Sequence, residues 1–508
     1  MHRLAELDRR FLWHPFTQMR DWLRREPIVL VEGQGTVVRD VHGREYLDAN
    51  SSIWTNLHGH NHPQLNAAVR EQLKKIAHTS ALGLANEPAS LLAERLVEMT
   101  NPGQQANASE ASARSATGSH LLRKVFFSDD GSTAMEVALK LAYEFARRSR
   151  RSNKPKFLSL ENAYHGDTVG AVALGHIDLF HQRYRGLVFK TDKVMSPYCY
   201  RCRFNRAVPE RADARDYRKC HWECLEVFER KLKIQRRKGN AYAAFVFEPL
   251  VQGAAGMIAQ PSGWLKEATG IAREHGALLL ADEVMTGFGR TGTAALRQES
   301  APQTKTSHPK GSGSTHRAEQ RRDTPFLLAC QRENVHPDFV ALAKGLTGGY
   351  LPMAATLTTQ KIFDAFLGKY EEFKTFFHGH SFTGNQLGAA VALSNLKLLE
   401  TPNSSNARRV LETTLTAELK RLWARSKVGD IRQVGLCVGV ELVKSWRTRE
   451  PFSLRERAGI RVCEAMSRRG VLTRPIGNVV VLMPPYCSTK AQVQKMVSAM
   501  DEAIAEVL

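Results

Sequence analysis

PDFVALAKGLTGG, residues 337–349, is the stretch that indicates the fold most clearly. A short apolar run leads directly to one lysine, Lys344, and a glycine-rich turn follows. The pattern predicts a buried strand that ends at the lysine. Apolar neighbours desolvate the Lys344 amine, so more of it is deprotonated and able to attack a carbonyl. The alternative is a structural lysine whose stem is buried and whose head reaches water.

The segments around this stretch predict an α/β fold. Continuous apolar strands alternate with helices, and such strands form a mostly parallel sheet that is covered on both faces. The predicted strands are 125–128, 156–160, 243–250, 277–284 and 339–342, and a helix is predicted over 134–148.

Three regions are predicted along the chain. Residues 1–60 contain a hairpin around Gly33-Gln34-Gly35 and are expected to join a smaller domain. Residues 61–358 form the large domain, and residues 359–508 form a smaller α+β domain. Short strands of the smaller domain are predicted at 434–443 and 479–483.

Two polar segments interrupt this pattern. Residues 101–120 are rich in Ala, Ser, Gln and Asn, which is typical of a linker or a loop insertion. Residues 297–325 are almost entirely polar around GSGS at 311–314. They bury too little to offset the cost of ordering, so we predict a disordered surface loop.

The chain carries a net charge of +21, concentrated in basic runs at 147–156, 201–238 and 305–322. Such runs are typical of solvated faces, and the alternative is a nucleic-acid surface. The runs lack interleaved aromatic residues and match no nucleic-acid-binding motif, so a nucleic-acid partner is not favoured. No apolar run approaches the roughly 20 residues that span a bilayer. The first ten residues have no hydrophobic stretch of signal-peptide type, so we expect a cytoplasmic protein with no membrane partner.

Further candidate site residues follow the predicted strands. Asp130, Gly131 and Ser132 form a turn before a helix, where free amides favour a phosphate. Asp282 ends a leucine-rich strand, and a buried carboxylate needs a cationic partner, such as a protonated pyridine nitrogen. Tyr164 can stack on a flat ring. Taken singly, each has a structural alternative: an ordinary turn, an ion pair or helix cap, and a rim tyrosine.

These features occur together at predicted carboxyl ends of strands, where open α/β sheets bind ligands. A phosphate turn, a stacking aromatic residue, a strand-end acid and a strand-end lysine are what pyridoxal 5'-phosphate (PLP) needs. The sequence therefore predicts a PLP site.

With these residues in view, the sequence resembles the class III (fold type I) PLP-dependent aminotransferases over nearly its whole length, apart from the two insertions. Three blocks resemble one branch of that class most closely: WHPFTQM at 13–19, SSIWTNLHGHNHP at 51–63 and HGHSFTGN at 378–385. The resemblance implies an aminotransferase with small-molecule substrates. Another member of the class, acting on ornithine, 4-aminobutyrate or β-alanine, is the alternative.

The resemblance also implies a role for each candidate. Lys344 binds the cofactor as a Schiff base and then moves the substrate proton, while Asp282 pairs with the pyridine nitrogen. Tyr164 lies beside the ring and the substrate. The residues implied to hold the phosphate are Asp130, Gly131 and Ser132.

A homodimer with shared active sites is implied as well. Gly379, His380 and Ser381 would come from the neighbouring subunit, with Ser381 reaching the phosphate. Arg474 would bind a substrate carboxylate through a bidentate pair.

Phe16, Ile53 and Trp54 are implied to line the substrate pocket. Some members of the class have tyrosine at the position of Phe16 and a second tryptophan at the position of Ile53. A missing hydroxyl and a missing indole leave the amino donor open.

Cys199, Cys202, Cys220 and Cys224 form two close pairs, which is how a structural zinc site is written. The second pair has a wider spacing, the segment is highly charged, and some members of the class carry a similar loop without a required metal. We expect no metal, and a zinc site at these four cysteines is the alternative.

Overall fold

A computed structural model describes residues 1–102, 120–152, 154–292 and 326–508. The predicted insertion at 297–325 lies outside these residues, and so does most of the one at 101–120. What the sequence predicts for both insertions therefore stays a prediction.

The described residues form strands and helices in the predicted alternation. The strands are β1 (Leu30–Gln34), β2 (Val37–Asp40), β3 (Glu45–Asp48), β4 (Leu122–Ser128), β5 (Phe157–Leu160), β6 (Asp192–Val194), β7 (Ala244–Phe247), β8 (Val251–Gln252), β9 (Ile258–Ala259), β10 (Leu278–Asp282), β11 (Phe339–Leu342), β12 (Ala354–Thr359), β13 (Val428–Val434), β14 (Cys437–Ser445), β15 (Glu450–Pro451), β16 (Val471–Leu472), β17 (Pro475–Ile476) and β18 (Val479–Leu482). The α-helices are α1 (Arg3–Phe11), α2 (Met19–Trp22), α3 (Pro63–Lys75), α4 (Glu87–Thr100), α5 (Gly131–Arg148), α6 (Val169–Leu174), α7 (Asp178–His181), α8 (Glu223–Arg237), α9 (Trp264–Glu274), α10 (Ala329–Arg332), α11 (Gln360–Asp364), α12 (Gln386–Leu399), α13 (Pro402–Leu419), α14 (Ala458–Arg468) and α15 (Lys490–Val507). Among these helices, none combines the length and apolar character needed to cross a membrane.

A seven-stranded sheet forms the centre of the large part, in the order β4-β12-β11-β10-β7-β5-β6. The pairs from β11 to β6 are parallel, and β12 runs antiparallel to both β11 and β4. Strands β5, β7, β10, β11 and β12 are buried along their whole length, as expected when helices cover both faces. The predicted α/β architecture with a mostly parallel sheet is confirmed.

Strand β10 shows how the sheet separates two apolar layers. Leu278 and Leu280 pack in the layer that contains α5, whereas Leu279 and Ala281 pack in the layer that contains α9 and α12. This alternation follows from the period of two along a strand. The sheet is therefore held from both sides, and the carboxyl ends of its parallel strands all open at one edge.

The two ends of the chain share a second sheet. β1, β2 and β3 pair antiparallel, and β16 then pairs parallel with β3. A third sheet, β13-β14-β18-β17, lies in the C-terminal part. The hairpin predicted around Gly33-Gln34-Gly35 is confirmed by the pairing of β1 with β2. The domain boundaries at 60 and 358 stay predictions.

The strand predicted over 434–443 is confirmed from residue 437 onward, but its predicted start is wrong. β13 ends at Val434, β14 begins at Cys437, and the two strands pair antiparallel. Gly435 makes the turn with a φ of +60°, and a Cβ at this position would overlap the backbone of Thr291. Apolar residues continue on both sides of the glycine, so the apolar pattern does not reveal the chain reversal.

Candidate active site

Lys344 lies just after β11 and begins a short 3-10 turn, Lys344–Thr347. Its φ of 45° is left-handed, which is uncommon for a residue other than glycine. Its Nζ atom lies 4.8 Å from the centre of the Trp54 ring. Burial lowers the pKa of the amine, while Asp282 and Glu248 act in the opposite direction. The structure thus presents a lysine that loses its proton readily beside an aromatic wall.

Asp282 ends β10, the strand that neighbours β11 in the sheet. Its Oδ2 accepts a hydrogen bond from Nδ1 of His165 at 2.8 Å, and its Oδ1 accepts the Val284 N–H at 3.1 Å. The Nε2 atom of His165 is buried and has no hydrogen-bond partner among the described residues. These contacts hold the carboxylate in one orientation at the edge of the sheet.

A second buried carboxylate, Glu248, directly follows β7. Its two oxygens accept the Tyr164 N–H at 3.2 Å and the Gly253 N–H at 2.8 Å. Burial raises the pKa of Glu248 to about 7, with His165 acting against this rise and Asp282 adding to it. Glu248 therefore gains and loses its proton close to neutral pH.

Sequence reasoning missed His165 and Glu248 as site residues. The signal that identified Asp282 was present at both, because each polar residue follows the carboxyl end of an apolar strand. What the sequence lacked was the order of the strands, which decides that the ends of β5, β7 and β10 are neighbours.

The predicted phosphate turn opens α5. Oδ1 of Asp130 accepts the Thr133 N–H at 2.9 Å, so this carboxylate caps the helix. The amides of Gly131 and Ser132 belong to the first turn, whose N–H groups have no partner within the helix. A Cβ on Gly131 would lie 2.7 Å from Cγ1 of Val284, two residues after the strand-end acid. Only a glycine allows the helix N-terminus to approach the acid this closely.

Tyr164 lies in a group of aromatic side chains. Its hydroxyl donates to Oδ2 of Asp167 at 2.7 Å, and its ring lies parallel to that of His181 with centres 6.1 Å apart. The Phe180 ring is 6.3 Å from the ring of Tyr164 and 5.2 Å from that of Phe16. Phe180 thus connects two predicted pocket residues that are far apart in sequence.

Ile53 and Trp54 lie on a left-handed turn, Ser51–Trp54. The indole N–H of Trp54 donates to Oδ1 of Asn50 at 2.8 Å, and the ring faces Lys344. Ile53 is 42% exposed. The structure thus brings Trp54, Lys344 and Asp282 to one edge of the sheet.

The loop that contains Gly379, His380 and Ser381 contacts its own chain. Nδ1 of His380 lies 2.9 Å from Oδ2 of Asp129, and Nε2 of His78 lies 2.9 Å from the Ser381 carbonyl oxygen. The predicted contribution of this loop to a neighbouring subunit stays a prediction.

Arg474 is exposed between β16 and β17. Within the described ranges no carboxylate forms an ion pair with it, and no contact joins it to Lys344 or Asp282. Its guanidinium is therefore available to a ligand.

Cys199, Cys202, Cys220 and Cys224 line one cavity of about 20 Å³. Burial raises the pKa of Cys224 to about 12 and also raises the pKa of Cys199 and of Cys202. In the part of the chain that the structure describes, no group of three or more His, Cys, Asp or Glu residues is arranged to hold a metal ion. The zinc alternative gains no support from this geometry.

The sequence matches the family described as Aminotransferase class-III over residues 19–306 and 324–504. It is 42% identical over 504 residues to the adenosylmethionine-8-amino-7-oxononanoate aminotransferase of Geobacter sulfurreducens, covering 99% of this chain and 98% of that protein. It is 39% identical over 505 residues to the protein of the same name in Aquifex aeolicus, covering 99% and 97%.

Solved structures give the same result. The adenosylmethionine-8-amino-7-oxononanoate aminotransferase of Methanocaldococcus jannaschii superposes with a TM-score of 0.82 at 33% identity, covering 99% of both chains. A PLP-bound amine transaminase from an uncultivated Pseudomonas species superposes with a TM-score of 0.80 at 30% identity, covering 98% of this chain and 99% of that one.

The raised pKa of Glu248 predicts a pH-dependent effect of Glu248→Gln on the apoprotein. The folded protein keeps a proton on Glu248 up to a pH of about 7, whereas the unfolded chain loses it above about 4.5, so wild-type stability falls between these values. The variant lacks this loss. We expect its free energy of unfolding to gain on that of the wild type by up to about 1.4 kcal/mol per pH unit in this window.

Urea unfolding of both apoproteins at several pH values measures the difference. Glu94→Gln, on the exposed side of α4, is the control and should show no such trend. Parallel pH dependences for Glu248→Gln and the wild type would contradict the prediction.

Proposed function

This chain belongs to the class-III aminotransferase family, and we propose that it transfers an amino group to 8-amino-7-oxononanoate, giving 7,8-diaminononanoate in biotin biosynthesis. It is an aminotransferase that depends on PLP. The observation that carries the proposed substrate is the full-length identity of 35–42% to relatives named for this acceptor.

The described residues fit PLP at three points. The first turn of α5 offers N–H donors for a phosphate, with Gly131 leaving the space. The Asp282 carboxylate, held by His165, suits a protonated pyridine nitrogen. Lys344 supplies a readily deprotonated amine. When bound, PLP withdraws electrons from the carbon next to the substrate nitrogen.

In the proposed reaction the chain's own residues hold and move protons. Lys344 Nζ accepts the proton that leaves the substrate Cα and returns it later, and burial assists this role by lowering the pKa of the amine. Trp54 covers one side of the amine and keeps water away from it. One site thus serves the amino donor first and the acceptor second, in ping-pong order.

The acceptor is an amino ketone with a long methylene chain that ends in a carboxylate. Apolar and aromatic side chains are suited to the methylene chain, and we assign this role to Phe16, Ile53, Trp54 and Tyr164. Arg474 has an exposed guanidinium without a carboxylate partner among the described residues, so we assign it to the carboxylate.

We propose S-adenosylmethionine as the amino donor, because the relatives are named for it. Lysine is the alternative, since Phe16 and the Gly379-His380-Ser381 form resemble the branch of the class in which lysine can replace S-adenosylmethionine. At Phe16 and Ile53 the pocket lacks the hydroxyl and the indole that some class members have there.

We propose a homodimer in which Gly379, His380 and Ser381 complete the neighbouring site. Several large apolar side chains are exposed in the single chain, among them Phe377, which is 74% exposed and precedes this loop by two residues, and Phe382, which is 59% exposed and directly follows it. Neighbouring exposed apolar side chains are typical of a surface that binds a partner. A cytoplasmic location is supported by the eight cysteines, all of which are free thiols.

Lys344→Ala tests the catalytic assignment. The variant should lack the visible absorbance of lysine-bound cofactor and lose transamination by at least about 100-fold, because no other amine replaces this proton carrier. Absorbance spectra and turnover of the purified protein measure both effects. Lys361→Ala, an exposed lysine on α11, is the control and should keep its colour and activity. Normal colour and turnover in Lys344→Ala would rule out the assignment.

Rescue of a biotin auxotroph tests the acceptor. A strain without its own 8-amino-7-oxononanoate aminotransferase should grow without biotin when it carries the wild-type gene, and should not grow when it carries the Lys344→Ala variant. A second candidate is another ω-aminotransferase of the same family, favoured by the superposition with an ω-transaminase of Thermomicrobium roseum at a TM-score of 0.81. Failure to rescue, with rapid turnover of ornithine, 4-aminobutyrate or β-alanine, would replace the first proposal by this one.

A single-turnover experiment tests the donor. Mixing the PLP-loaded enzyme with S-adenosylmethionine, in the absence of acceptor, should remove the visible absorbance within one turnover, whereas lysine should leave it. The reverse result would assign lysine as the donor.

A further inference from the structure

The turn Ser51–Trp54 has an unusual backbone. Its four φ angles are 45°, 49°, 64° and 69°, all in the left-handed region. A left-handed φ is unfavourable for residues other than glycine, and Ile53 is β-branched, which makes a positive φ still less favourable. Such a turn persists only where its surroundings hold it.

Asp48 holds the interior of the turn. Its Oδ1 accepts the backbone N–H of Ser52 at 3.0 Å, and its Oδ2 accepts the Ser52 hydroxyl at 2.8 Å. Nε2 of His60 lies 3.1 Å from the same Oδ2. Burial by itself would raise the pKa of Asp48, but the hydrogen bonds from His60 and Ser52 outweigh it and hold the pKa below its ordinary value. The Asp48 carboxylate that binds Ser52 is therefore ionised.

The two ends of the turn are fixed by different residues. The Ser51 hydroxyl donates to the Met483 carbonyl oxygen at 2.6 Å, and Nη2 of Arg290 donates to the Asn56 carbonyl oxygen at 3.0 Å. Neither contact reaches Ser52 or Ile53. At the middle of the turn the Thr55 hydroxyl donates to the Ser52 carbonyl oxygen at 3.1 Å, whereas Asp48 binds both the N–H and the hydroxyl of Ser52. Asp48 therefore contributes to the handedness at Ser52.

The last residue of the turn is Trp54, whose side chain faces Lys344. Trp54 lies with its ring centre 4.8 Å from Lys344 Nζ. The Trp54 ring also lies beside Gly253, where a Cβ would be 3.5 Å from the indole, an ordinary van der Waals contact. A turn of ordinary handedness would point Trp54 away from this position.

We propose that Asp48 is a positioning residue, whose carboxylate keeps the Ser51–Trp54 turn left-handed and thereby sets where Trp54 stands over the Lys344 amine. The inference rests on the proposed function, since it takes Trp54 as a wall of the acceptor pocket. It predicts that Asp48 acts on acceptor binding through Trp54 and not through general stability.

A double-mutant cycle tests this coupling. Asp48→Ala and Trp54→Phe should each raise the KM for 8-amino-7-oxononanoate by about tenfold, with a smaller change in kcat, and the double variant should be no worse than the worse single one. Multiplied effects in the double variant would overturn the proposal. If Asp48→Ala does not fold, Asp48→Asn keeps one acceptor for Ser52 and allows the same cycle.

Asp40→Ala is the matched control. Asp40 is a buried carboxylate on β2 that accepts the N–H groups of His42 and Arg44 and the hydroxyl of Tyr46, and it has no contact with the turn among the described residues. This variant should lower the thermal unfolding midpoint without raising the KM. An equal rise in KM would show a general loss of stability and would overturn the proposal.

Rescue by glycine separates a positioning role from a merely structural one, because only a positioning role predicts that a glycine at residue 52 restores the KM. Glycine adopts a positive φ without strain, so Ser52→Gly in the Asp48→Ala background should bring the KM back towards the wild-type value, although it adds no contact. A double variant with the KM of Asp48→Ala and an intact unfolding transition would overturn the proposal.

The failure of the two proposals can be told apart. If the wild-type enzyme does not use 8-amino-7-oxononanoate, the proposed function fails. The same cycle is then measured with whichever acceptor the enzyme does use, and coupling between Asp48 and Trp54 would still support the positioning role.

Discussion

The amine of Lys344 is buried at the carboxyl edge of a seven-stranded sheet, where it loses hydration. The carboxylates around it partly offset the effect of this burial on its pKa. The ends of β10 and β7 place Asp282 and Glu248 at the same edge. Three buried ionisable groups cannot all keep full charge at low cost. Burial lowers the pKa of the Lys344 amine and raises the pKa of Glu248, so each group is shifted towards its neutral form. Burial thus acts in opposite directions on the pKa of the amine and on the pKa of Glu248 at one edge of the sheet.

Close backbone approach is the second constraint. Gly131 lets the start of α5 pass beside Val284, and Gly166 lies against Ser132, where any Cβ would overlap the serine side chain. Lys344 and the Ser51–Trp54 turn are left-handed without being glycine. Strain of this kind gathers where a structure must hold a side chain in one position. Lys344 and Trp54, which lie against each other, are two such positions.

Several features follow from local sequence and are present in the structure. The strand 339–342 has the predicted bounds, Pro63 is the first residue of α3, and β1 and β2 form the predicted hairpin. The error over 434–443 arose where an apolar run continued through a turn, since periodicity reports which face is buried and not where the chain reverses. The cysteines show the opposite case. Their spacing places them in two close pairs, and the structure brings all four side chains to one small cavity.

The sequence by itself determined the class of fold, the lysine, the acid and the helix turn, because an apolar run and the polar residue that follows it are neighbours in the chain. Only the tertiary structure decided which strand ends meet. His165 reaches Asp282 across 117 residues, and the Ser51 hydroxyl reaches the Met483 carbonyl oxygen across 432 residues. Such contacts depend on strand order and on packing between distant segments, which local patterns do not encode.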